Sequence, residues 1–119
     1  MVWHIVLMKP QPDLSPAARR DLLDAFDRAC REIPGVRDVR VGRRVTHGAG
    51  YESTMPDAAD YLVSLAFDDV DALRAYLRHP AHAPLGAQFN QALSAALIFD
   101  FEMSGLEELG TESNLPQSD

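Results

Sequence analysis

Val2 to Lys9 is apolar on both alternating faces: Val2, Val6 and Met8 on one with His4 among them, Trp3, Ile5 and Leu7 on the other. This pattern predicts a strand, and a strand apolar on both sides expects cover on both. Pro10 and Pro12 close it. The period then changes. Ser15-Pro16 supplies an N-cap and a first-turn proline. Leu22, Leu23, Phe26, Cys30 and Ile33 follow at helical spacing until Pro34-Gly35 stops them.

Val36 to Val45 alternates again, with Val39 and Val41 against Asp38 and Arg40, and predicts a second strand. Residues 46–59 carry glycines, a proline and scattered polar groups, a long loop of the kind used as lids or mobile segments. Tyr61 to Phe67 predicts a third strand with Tyr61, Val63, Leu65 and Phe67 on one face. Asp68-Asp69 caps a helix with Val70, Leu73, Tyr76 and Leu77 inward, and His79-Pro80 breaks it. Ala83 to Ala92 predicts a short helix, with Leu85 and Phe89 inward. Ala95 to Met103 predicts a last strand with Leu97, Phe99, Phe101 and Met103 on one side. Residues 1–103 then form one domain, and 104–119 an acidic, flexible tail in which Leu106 and Leu109 are free to dock.

The order βαββαβ is the ferredoxin-like arrangement: an α+β fold with a four-stranded antiparallel sheet and helices on one face. One copy covers one face only. Trp3, Ile5 and Leu7 need a second cover, and a second sheet from another copy supplies it. The expectation is a homodimer through the sheet face, two sheets packed into a barrel.

A length of 119 residues suits one domain. A net charge of −7 excludes a nucleic-acid partner, which needs a basic stripe, and docking on an anionic membrane. One cysteine, Cys30, cannot form an internal disulfide; it reads as a small core residue, since no basic partner for a thiolate is evident. No apolar run approaches the ~18 residues of a membrane span, and the N-terminus lacks the marks of a signal peptide. These readings together predict a soluble cytoplasmic protein.

Five short stretches occur together: His4-Ile5-Val6-Leu7, Ile33-Pro34-Gly35-Val36, Val41-Gly42, His79-Pro80-Ala81-His82 and Ile98-Phe99-Asp100-Phe101. In this combination, from about Val2 to Glu102, the chain resembles the stress-responsive dimeric α/β-barrel (Dabb) family. The resemblance implies a ferredoxin-like fold and a dimer around a central barrel. Many members have no assigned activity. One is a polyketide cyclase that closes a linear chain by an aldol reaction, with no metal and no cofactor. The working pair of that enzyme resembles Tyr76 and His82 here, and a first-strand histidine resembles His4. Tyr61 stands where the cyclase has a pocket histidine, and loop 46–59 is longer than the cyclase's. Isomerases and haem-degrading monooxygenases share the fold more distantly, so fold alone decides nothing about chemistry.

The candidate chemistry follows from residue type. Histidine titrates near ~6.5, so His82 can take a proton beside a carbonyl at neutral pH. Tyr76 can orient it or donate to an enolate oxygen, and His4 can hold substrate or water. Tyr61, Val63, His79 and Phe89 are the expected substrate-binding walls for a small-molecule ligand. Each residue also has a structural reading: His79 and His82 as helix caps, His4 as a satisfied core histidine, Tyr76 as an inward aromatic. His47 is expected in solvent, and Arg43-Arg44 at a solvated strand end or gripping a carboxylate. A metal set of His79, His82 and His4 is disfavoured by the proline between the first two, so neither metal nor cofactor is expected. The expected function is a cofactor-free lyase, cyclase or isomerase on a small, partly apolar carbonyl compound. A non-catalytic, stress-associated binding dimer and a haem- or quinone-type monooxygenase are the alternatives.

Overall fold

The computed structural model describes residues 1–111. Its elements are β1 (Val2–Pro10), α1 (Pro16–Glu32), β2 (Asp38–Arg43), β3 (Tyr61–Phe67), α2 (Val70–Arg78), α3 (His82–Ala92) and β4 (Leu93–Glu102). Two 3-10 turns, Gly50–Thr54 and Leu106–Gly110, lie in the β2–β3 loop and after β4. The sheet order is β2-β3-β1-β4, with every neighbouring pair antiparallel. This is the ferredoxin-like α+β fold.

Register decides which side chains share a face. His4 stands opposite Leu65 on β3 and Asp100 on β4, and Val6 opposite Val63 and Ile98. This side meets the helices. Val2, His4, Val6, Met8, Val63, Leu65 and Phe67 are buried there against Leu22, Leu73, Tyr76 and Leu85. The other side pairs Trp3 with Phe101, Ile5 with Phe99 and Leu7 with Leu97. No helix covers it, and Leu97, Phe99 and Phe101 are 42–50% exposed.

Local chemistry explains the element ends. The Ser15 hydroxyl accepts from the Ala18 amide at 3.1 Å, with Pro16 in the first turn of α1. The Asp69 carboxylate accepts from Ala72 at 2.8 Å and starts α2. Ser15→Ala is expected to cost ~1 kcal/mol, read as a lower denaturant midpoint with an unchanged slope. Gly35, at φ 98°, makes the turn between α1 and β2, a backbone region that a side chain disfavours.

Several positions differ from expectation. β2 is shorter than 36–45: Arg37 and Arg44 still donate to Ala66 and Asp60, but the ladder proper runs only from Asp38 to Arg43. β4 starts earlier, at Leu93, because the chain passes from α3 directly into the sheet. Leu23, Val70 and Leu77 are exposed rather than inward. Leu23 stands beside the true stripe of Leu22, Phe26, Ala29 and Ile33, about 100° round the helix from Leu22. Ala29 is fully buried. Leu106 and Leu109 are exposed and dock on none of the described residues of their own chain. The remainder of the expected flexible tail, 112–119, lies outside the described residues. Among those described, no helix is long and apolar enough to cross a membrane.

Candidate active site

Four elements converge on one cavity of about 330 Å³ between sheet and helices, lined by His4, Tyr76, His82, Phe89 and Asp100 among others. β1 brings His4 and β4 brings Asp100, directly opposite in register. The inner face of α2 brings Tyr76, and the Pro80 break turns the chain so that α3 starts at His82.

His4 is buried, and its Nδ1 lies 2.6 Å from Asp100 Oδ1. A carboxylate only accepts, so Nδ1 carries the proton, and in the neutral ring Nε2 is then the acceptor. The Tyr76 ring meets His4 edge-on at 6.0 Å between centroids and His82 at 5.0 Å. Phe67 backs it at 5.2 Å. Burial first, then the neighbouring Cys30, pushes the Tyr76 phenol well above its ordinary range, so it remains a donor. No described side-chain nitrogen or oxygen is both buried and unpaired, and the Tyr76 hydroxyl has no protein partner among the described residues. Tyr76 is almost wholly buried and lines the cavity.

His82 is partly buried, and its ring makes no hydrogen bond to another described residue; its amide donates to His79 at 2.9 Å. The first turn of α3 has no side-chain cap, so His82 is not acting as one. Burial first, then the proximity of His4, holds the His82 imidazole below its ordinary value. The neutral base therefore persists to more acidic pH than in a free histidine. An NMR titration of the His82 ring protons is expected to show a midpoint below 6.5; a midpoint above it contradicts this environment.

The other expected site residues are distributed differently. Phe89 lines the same cavity and packs on Phe26 at 5.5 Å. Tyr61 and Val63 line a second, mostly apolar cavity of about 470 Å³ with Leu22, Val41 and Phe26. Phe26 walls both cavities. His79 lines neither: its Nδ1 accepts from the Ala81 amide at 3.0 Å and holds the turn between α2 and α3. His47 is exposed beside Tyr51, 3.0 Å from its hydroxyl. Arg43 lies over the Tyr61 ring at 5.8 Å, in a surface dip shared with Arg44, Glu52, Asp57 and Asp60. Cys30 is half-buried, its thiol raised by burial and by Asp27. Among the described residues no three His, Cys, Asp or Glu side chains converge as a metal set.

Asp100 is the site residue that composition and periodicity do not single out. Its signal is a carboxylate in the middle of an apolar strand, on the side opposite Phe99 and Phe101. Only the pairing with β1 gives it a partner.

A ferredoxin-like domain with a His/Tyr pocket between sheet and helices is the class that fold and site define. The chain belongs to the Dabb family, the stress responsive A/B barrel domain, whose profile matches residues 2–103. Olivetolic acid cyclase of Cannabis sativa is 24% identical over 100 residues, spanning 84% of this chain and 94% of that protein. A hydroxynitrile lyase from Passiflora edulis has a TM-score of 0.72 at 14% identity, over 87% of this chain and 93% of that one. A dimeric ferredoxin-like protein of unknown function from Thermobifida fusca has a TM-score of 0.66 at 22% identity, over 86% and 90%. Both solved structures share the fold.

Proposed function

We propose that this protein is a cofactor-independent acid–base catalyst, a lyase, cyclase or isomerase, acting on a small, partly apolar carbonyl compound. The observation that carries the reading is the set of three rings, His4, Tyr76 and His82, packed edge to face around one cavity. His82 takes the proton from the carbon next to the carbonyl, and the C–H electron pair becomes the double bond of an enolate. Tyr76, kept protonated by burial, donates a hydrogen bond to the enolate oxygen. His4, held by Asp100, orients the substrate or a water through Nε2. The enolate then attacks a second carbonyl, expels a leaving group or is reprotonated elsewhere. Proton transfer of this kind uses side chains alone. Similarity to a polyketide cyclase supports the first outcome. Tyr61 and Val63 suit the apolar end of the substrate, in the cavity beyond Phe26. His79 contributes by fixing the turn that aims His82.

The same reading makes the protein a homodimer through its open sheet face. The exposed Leu97, Phe99 and Phe101 support it, as does the dimeric state of the Thermobifida fusca relative.

Exchange of α-protons of alkyl and aryl ketones in D₂O, followed by NMR, tests the chemistry without a known substrate. The wild type is expected to accelerate exchange, and His82→Ala to lose ~10²-fold or more of that acceleration. Tyr76→Phe is expected to lose part of it. A folded His82→Ala variant with full exchange sinks the mechanism. A wild type that binds these ketones without exchanging them marks a binding protein instead.

A further inference from the structure

We propose that the segment following β4, Met103 to Gly110, is an arm that seats on a second copy of this chain, with Leu106 and Leu109 as its anchors. The inference rests on the reading of the open sheet face as a dimer interface. Met103 extends the β1–β4 ladder by one step, its amide donating to the Met1 carbonyl at 3.1 Å. Alternation places Met103 on the side of Phe99 and Phe101, so the arm departs from the rim of the open face. Leu106–Gly110 then forms a 3-10 turn. Residues three apart in such a turn eclipse one another, so Leu106 and Leu109 share one side and Glu107 and Glu108 point off it.

Single exposed leucines are ordinary, but these two are 82% and 85% exposed. They also continue an apolar run that includes Phe99, Phe101 and Met103. Among the described residues their own chain offers them no seat. In a face-to-face pair, their own sheet face is taken by the partner, and a partner seated on that face meets the arm at its rim. The occupant is therefore a second copy, and the leucines extend the interface past the sheet.

The test is dimer dissociation of the full chain by analytical ultracentrifugation over a dilution series. Leu106→Ser with Leu109→Ser is expected to raise the dimer Kd ~30-fold or more, with the circular-dichroism melt of the dilute monomer unchanged. A dimeric wild type whose Kd the double variant leaves unchanged overturns the arm and leaves the sheet interface standing. A wild type that is monomeric throughout overturns the sheet interface and the arm with it. As a second readout, Leu106→Cys carrying an environment-sensitive dye is expected to shift to the blue as dimer forms; constant emission through dimerisation overturns the arm.

Discussion

Phe99→Asp is expected to abolish association, raising the dimer Kd on the order of a thousandfold. Phe99 lies in the middle of the uncovered sheet face, opposite Ile5 and between Leu97 and Phe101 on the same side. In the monomer it is half-exposed, so a carboxylate there stays in water and the fold is undisturbed. In the dimer the carboxylate enters a seam walled by Trp3, Ile5, Leu97 and Phe101, and burying a charge among apolar side chains costs several kcal/mol. Two-fold symmetry places a second copy of the defect in the same seam. Sedimentation at increasing concentration measures the result, and a variant that still pairs like the wild type refutes the sheet-face interface. Val41→Asp is the matched control: Val41 is also exposed, but on the helix side of β2.

Phe67→Ala is expected to destabilise the fold by about 3–5 kcal/mol, a large share of what holds a small domain together. Phe67 is fully buried and paired with Val2 in the sheet, and its ring supports Tyr76 at 5.2 Å. Truncation leaves a cavity behind the tyrosine of the candidate site. Stability and site should therefore suffer together: a lower unfolding midpoint, and weaker proton exchange even at temperatures where the variant is folded. Phe67→Leu refills part of the space and should recover most of both. Equal stability of Phe67→Ala and wild type would mean the site collapses around the loss more completely than this packing allows.

The sheet was legible wherever one residue type repeated at period two. Tyr61 to Phe67 is bounded as expected, because a run of β-formers ends at Asp68-Asp69, which start a helix. The two-sided apolar pattern of β1 likewise showed which residues face the helices and which are left uncovered. Helix faces were legible to within one position: Leu22 and Leu23 are equally apolar, and only the tilt of α1 on the sheet decides between them. The convergence of His4, Tyr76 and His82 followed from topology, since β1, α2 and the break after it meet in this fold. Asp100 did not follow, because its partner lies 96 residues away and the β1–β4 register brings them together. The division into two cavities was equally hidden. It depends on where the Phe26 ring comes to rest against Phe89, a packing detail rather than a pattern.

β1 carries both halves of the proposed biology on alternate residues. His4 belongs to the pocket, while Trp3 and Ile5 belong to the uncovered face. The two functions are therefore one letter apart in the chain. An insertion of a single residue between Met1 and His4, with the rest of β1 kept in place, would leave the pocket untouched. The same insertion between His4 and Val6, forcing the N-terminal half of the strand to slip by one, would turn His4 toward the uncovered face, turn Trp3 inward at the place of Val2, and leave the inserted residue or Ile5 where His4 met Tyr76. Catalysis and assembly would fail in one step, which restricts length changes in this strand far more severely than in the loop at 46–59.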